Sequence, residues 1–166
     1  VTARAVLFGV DVLDVRRVSR AIDYSGSSYV RHVTADEEPR LHPDGAVATA
    51  ATVAVKEALI KAIGGRPPGF SWHDFLAGSD TDTLVPATAG RLLEDATPQL
   101  GQVTDVMLTE HCSYRVRGAS LDAALTRLGV ADRDGASAVG SARWGRREET
   151  LVALAVLVTT TAKESA

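Results

Sequence analysis

The stretch ATVAVKEALIKAIGG, residues 51 to 65, sets Lys56, Glu57 and Lys61 inside an otherwise apolar helical run. Glu57 and Lys61 lie one turn apart on one helix face, in the favourable acid-before-base order, which stabilises an exposed pair by only about 0.2 to 0.5 kcal/mol. A solvated surface ion pair is one reading of these charges, since Lys and Glu are usually exposed and form helix readily. Asp11 opens another. A carboxylate at a strand end and a second inside a helix of small residues are hard oxygen ligands of the kind Mg²⁺ accepts. That ion takes one or two carboxylates from the protein and fills its octahedron with waters and phosphates. A lysine one turn further on would meet those phosphates, so the chemistry open to these residues is that of phosphate esters.

The elements that must position them are legible in part. Ala5 to Val10 reads as a short apolar strand, after which Leu13, Val15, Val18, Ala21 and Ile22 recur at helical spacing, with Asp14 able to cap the helix. YSGSSYVRHVTADEEPR is turn-rich, and Thr34 with Glu37 predicts a capping box for one short helical turn ended by Pro39. The spacing predicts a helix over Ala46 to Ile63. Its alanines suit close packing, and Gly64 and Gly65 are its stop. SWHDFLA alternates like a strand, with Trp72, Asp74 and Leu76 on one side. Residues 78 to 112 are the least patterned, with a short helix expected near Ala89 to Glu94 and a strand at Val103 to Leu108. Tyr114 and Val116 predict a strand, followed by a helix capped by Ser120 and ending at Gly129. A short strand, a charged loop around Arg146 and Arg147, and a long strand from Thr150 to Thr160 complete the chain. That last strand is apolar on both faces, so it is central or lies in an interface. Strands and helices of mixed order, joined by short hairpins, predict an α+β fold.

Composition bounds the rest. A chain of 166 residues, 45% hydrophobic and 23% charged, is the size and make-up of one globular domain. No apolar run approaches the roughly 18 to 20 residues of a membrane span. A net charge of -3 argues against a nucleic-acid binder that neutralises many phosphates. The only cysteine, Cys112, has no internal disulfide partner, and the amino end has no basic-then-apolar signal pattern, so a reducing cytoplasm is the simplest address. His111 and Cys112 have no second pair at metal-ligand spacing, which argues against a zinc site.

Two motifs in order carry a resemblance. GVDVLDVRRVSRAI resembles the opening Gly-Ile-Asp-Ile-x-Asp-Ile-x-Arg of holo-acyl-carrier-protein synthases, the small trimeric 4′-phosphopantetheinyl transferases, and VAVKEALIKAIGG resembles their Phe-Ala-Ala-Lys-Glu-Ala-x-x-Lys-Ala-Leu-Gly. HVTADE, FSWHDFLA, YRVRGASLDAALTRLGV and LVALAVLV are weaker echoes. The likeness spans most of the chain outside about residues 78 to 112, which would be an insertion in a single domain over residues 1–166.

The resemblance implies an antiparallel sheet packed with a long buried helix, a homotrimer, and transfer of 4′-phosphopantetheine from coenzyme A to a serine of an acyl or peptidyl carrier protein. It implies Asp11 and Glu57 as Mg²⁺ ligands and Lys61 beside the pyrophosphate, these three forming the catalytic set. Lys56, Gly64, Gly65, Arg66 and Arg143 would complete the cofactor contacts. Arg16, Arg17 and Arg20 give the first helix a basic patch for an acidic carrier, and such docking weakens as salt rises.

The chain departs from the family in three places. The family's Arg-Phe before Ala-Ala-Lys-Glu is Thr52-Val53; its Gly-Thr-Gly is Gly64-Gly65-Arg66; and its Ser-x-Ser-His is GSAR, where Arg143 can hold a phosphate but cannot act as a base. These changes support an alternative: a relative that has lost transfer and serves as a carrier-binding scaffold, or acts on a carrier-bound polyketide or peptide chain.

Overall fold

Leu7, Gly9, Asp11 and Leu13 alternate with Phe8, Val10 and Val12 along the first strand, β1 (Leu7–Asp14), so one row faces inward and the other outward. In this computed structural model, which describes residues 5–78 and 87–161, the strand runs past Asp11 instead of ending before it. Asp14 then caps α1 (Val15–Ser25) by accepting from the Arg16 N–H at 2.9 Å. Gly26, at φ 61°, turns the chain into a second helix, α2 (Ser27–Val33).

That helix replaces the expected turn-rich segment, and the capping box at Thr34 does not form. Thr34 instead closes α2, and it is Glu38, not Glu37, that accepts from the backbone at Ala35.

The long helix, α3 (Gly45–Ala62), is capped by Asp44 and ends at Ile63 before Gly64 and Gly65, both at positive φ. It is apolar nearly all round and buried nearly all round, as a helix without a polar face must be. Its contact with β1 is unusually close. A Cβ at Gly9 would lie 1.7 Å from the Ala58 carbonyl oxygen, so α3 rests on the strand with no side chain between them.

SWHDFLA begins as a 3-10 turn, Trp72–Asp74, because Ser71 and Asp74 cap each other's backbone; only Phe75–Gly78 is strand, β2. After it come α4 (Ala87–Thr104), β3 (Glu110–Val116), α5 (Gly118–Arg127), β4 (Ala136–Arg147) and β5 (Thr150–Thr161). α4 is longer than expected and continues through Pro98, and no strand forms at Val103 to Leu108. Ser120 does not cap α5 but sits in its first turn. Its N–H and hydroxyl both reach Asp74, at 3.2 and 2.8 Å. The expected charged loop around Arg146 and Arg147 is the end of β4.

The sheet is antiparallel throughout, in the order β1-β5-β4-β3-β2, and with its helices it makes the α+β fold expected. β5 is an interior strand, which explains its two apolar faces. Leu151, Ala153, Ala155 and Leu157 pack in the cluster built on α3, and Val152, Leu154, Val156 and Val158 pack under α4. Among the described residues no helix is long and apolar enough to cross a membrane.

Candidate active site

The close seat of α3 on β1 decides what Asp11 meets. Asp11 belongs to the inward row and is buried, and Lys61, in the last turn of α3, reaches it with Nζ to Oδ1 at 2.6 Å. One turn back on the helix, Glu57 accepts from Arg66 Nη2 at 2.6 Å. Arg66 is held from behind: its guanidinium lies 5.3 Å from the Phe70 ring centre and 5.0 Å from that of Trp72, and these rings meet edge to face. Such cation–π contacts stabilise by about 0.5 to 1 kcal/mol each at exposed sites. Two carboxylates and two cations therefore sit at the junction of β1 and the end of α3, each acid paired with one base.

Tyr29 on α2 belongs to the same neighbourhood. Burial raises its hydroxyl pKa above 10.0; Arg17 works against that shift and Glu57 adds to it, so α1, α2 and α3 converge here. Nothing in the sequence spacing singles out Tyr29, Phe70 or Trp72.

Asp11 and Glu57 are the residues here that could hold a metal ion. Asp11 and Glu57 are only partly open, their side chains 11% and 26% exposed, and each commits one oxygen to its cation. The second oxygen of each has no partner among the described residues. Hard carboxylate oxygens, two in number, match an ion that draws the rest of its shell from water and phosphate. Among the described residues no group of three or more His, Cys, Asp or Glu is placed to hold a metal, so the protein supplies at most a partial shell.

Other expected contacts fall elsewhere. Lys56 is fully buried, and its ammonium is saturated by Glu38 Oε2 at 2.7 Å, the Val33 carbonyl at 2.8 Å and the Trp72 carbonyl at 3.1 Å. No donor is left for a cofactor, and its work is to tie α3 to α2 and the 3-10 turn. Burial lowers its pKa from 10.5, and the Glu38 charge works against that fall. Gly64 and Gly65 spend their N–H groups on the carbonyls of Lys61 and Ile60, ending α3, and present none to a phosphate. Arg143 shares its side of β4 with Val139, under α4, and pairs with Glu94 at 3.8 Å. The Asp11–Lys61 pair lies across the sheet, on the α3 side, so one chain does not bring Arg143 to it. The neighbouring Trp144 is a core residue, 3% exposed.

The three arginines of α1 are exposed. Arg16 doubles back on Asp14, with Nη2 to Oδ2 at 2.9 Å, and holds that carboxyl below its ordinary pKa of 3.8. Arg17 and Arg20 make no hydrogen bond or ion pair among the described residues and remain the freer cations.

No protein-family model matches the chain, and no curated protein matches its sequence. Solved structures do match. The holo-[acyl-carrier-protein] synthase of Neisseria meningitidis superposes with a TM-score of 0.56 at 18% identity, over 91% of this chain and 96% of that one. The Helicobacter pylori synthase, solved in complex with coenzyme A, gives 0.54 at 15% identity over 93% and 100%. The holo-ACP-synthase of Plasmodium yoelii gives 0.56 at 13% identity over 96% and 99%. The fold of this chain is that of the holo-acyl-carrier-protein synthases.

Proposed function

We propose that the protein transfers 4′-phosphopantetheine from coenzyme A to a serine of an acyl or peptidyl carrier protein, with Mg²⁺ held by Asp11 and Glu57. The observation that carries this reading is the alternation of Asp11, Lys61, Glu57 and Arg66 at the junction of β1 and α3, on a fold shared with enzymes of that reaction. Bound magnesium would supply charge neutralisation at the diphosphate. The chain's own groups do the rest. Lys61 and Arg66 turn from their carboxylates to the diphosphate oxygens, where the cations offset the charge that grows on adenosine 3′,5′-bisphosphate as the serine oxygen bonds to the pantetheine-side phosphorus and the P–O bond of the diphosphate breaks. The Glu57 oxygen that Arg66 releases accepts the proton of the attacking serine hydroxyl. Arg16, Arg17 and Arg20 dock the acidic carrier beside that serine.

Self-association as a trimer belongs to the same proposal. Phe8, Val10 and Val12 line the outer face of edge strand β1 at 42, 38 and 58% exposure, an apolar strip that copies of the chain would cover. A cytoplasmic location fits the free, buried Cys112. The alternative, a carrier-binding relative without transfer, draws on one observation: Arg143 and Lys56, both expected at the cofactor, are spent elsewhere.

The test is incubation with coenzyme A, Mg²⁺ and a panel of apo carrier proteins, followed by intact-mass measurement. A phosphopantetheine mass gain on at least one carrier, abolished by Asp11→Asn and by Glu57→Gln, is expected. An unmodified panel that an authentic synthase does modify refutes transfer.

A further inference from the structure

A cavity of about 590 Å³ opens between α1, α2 and the first half of α3, within the ~300 to 1,000 Å³ range of small-molecule sites. Its wall is mostly apolar, with Ile22, Val30, Leu41 and Ala48 prominent. Several polar groups in the wall are already committed. Glu38 serves Lys56 and the Ala35 and Ala77 N–H groups, Arg40 donates to the His42 and Pro43 carbonyls, and the Thr49 hydroxyl donates to the Gly45 carbonyl. Thr52 differs. It lines the cavity and is only 5% exposed, yet its hydroxyl bonds to no described residue. That hydroxyl faces the open cavity and is free to bond an occupant that carries an oxygen atom.

The cavity adjoins the basic patch. Ser19, in its wall, lies one turn from Arg16 on the same face of α1 and next to Arg20 in sequence. A partner held on those arginines therefore has an apolar recess beside it. We propose that the cavity seats a medium-length aliphatic acyl chain bearing a hydroxyl or keto oxygen, presented as a pantetheine thioester, with Thr52 bonding that oxygen. The carrier-docking part rests on the function proposed above; the cavity's affinity for the chain does not.

The probes are accordingly pantetheine, octanoyl-pantetheine and 3-hydroxyoctanoyl-pantetheine, none of which carries a diphosphate, titrated calorimetrically into the full chain. Burial of several methylenes predicts that both acyl probes bind at least about tenfold more tightly than pantetheine. The hydroxyl predicts a further preference of roughly threefold to tenfold for the 3-hydroxy probe. Ala48→Phe fills the cavity and removes the acyl preference. Thr52→Val keeps the shape, so it retains the acyl preference and loses the hydroxyl preference, and it decides the matter if Ala48→Phe fails to fold. Equal binding of pantetheine and octanoyl-pantetheine overturns the proposal, as does a hydroxyl preference that survives in Thr52→Val. Because no probe requires coenzyme A or Mg²⁺, a protein inactive in phosphopantetheine transfer can still pass this test, and an active one can fail it.

Discussion

Lys56→Met is the sharpest test of what the charged residues in α3 are for. The substitution keeps most of the apolar stem and deletes an ammonium that serves three acceptors. Two carbonyls, at Val33 and Trp72, lose that donor, and the Glu38 carboxylate, its side chain 1% exposed, loses its counter-ion. Removing one member of a buried ion pair costs about 3 to 5 kcal/mol, because the other charge stays behind in low dielectric. Against a total stability of about 5 to 15 kcal/mol this is a large share. At roughly 2 to 4 °C per kcal/mol for a chain of this size, melting should fall by roughly 6 to 20 °C. Urea unfolding at pH 7 measures the loss directly. Lys56→Met combined with Glu38→Gln should recover at least about 1 kcal/mol, since an uncharged amide oxygen remains for one backbone N–H. The pH dependence has a defined sign. With its folded pKa below 10.5, Lys56 is deprotonated earlier in the folded than in the unfolded chain. Its share of stability therefore rises with pH from the lowered value up to 10.5, and the variant lacks that rise. A Lys56→Met protein within about 1 kcal/mol of the parent would refute the assignment of Lys56 to the fold.

Two further substitutions probe the frame of the site. Gly9→Ala forces a Cβ to within 1.7 Å of the Ala58 carbonyl oxygen and 2.9 Å of the Ala62 nitrogen, backbone atoms that cannot swing aside. It should cost more than the usual ~1 to 3 kcal/mol of overpacking in thermal or urea unfolding, whereas Gly26→Ala, strained at φ 61° but in open space, should cost about 1 to 2 kcal/mol. Equal effects at the two positions would count against the close seat of α3 on β1. Cys112 is raised by burial from 9.0 to about 12. Its contribution to stability is complete below pH 9.0 and is lost as pH climbs through the folded value, at up to about 1.4 kcal/mol per pH unit. Cys112→Ala should flatten that limb of the urea midpoint against pH, leaving the part due to Tyr114, which burial also raises. An unchanged slope would show that the thiol is not buried as described.

Much of this protein was written in local order. Apolar periodicity specified α1, a run of small helix-forming residues specified α3, the paired glycines marked where α3 stops, and the double-faced apolarity of β5 called for a central strand or one in an interface, because these signals depend on neighbours within a few residues. Glu57 and Lys61 share a face of α3 by helix geometry alone, so half of the candidate site was legible before any fold was known. Where local signals conflict, the sequence misleads. Pro98 and a run of small polar residues hide α4, which packing of Ala89 and Leu93 on the sheet sustains, and mutual capping of Ser71 and Asp74 turns an alternating stretch into a 3-10 turn. The roles of the charged residues were decided only in three dimensions. Lys56 and Glu57 are adjacent in the chain, yet about 100° of helix rotation sends one ammonium into a sealed pocket of carbonyls and sets one carboxylate at the rim beside Arg66. The pairing of Asp11 with Lys61 required the absence of a side chain at Gly9, a contact across 50 positions of sequence that no periodicity records.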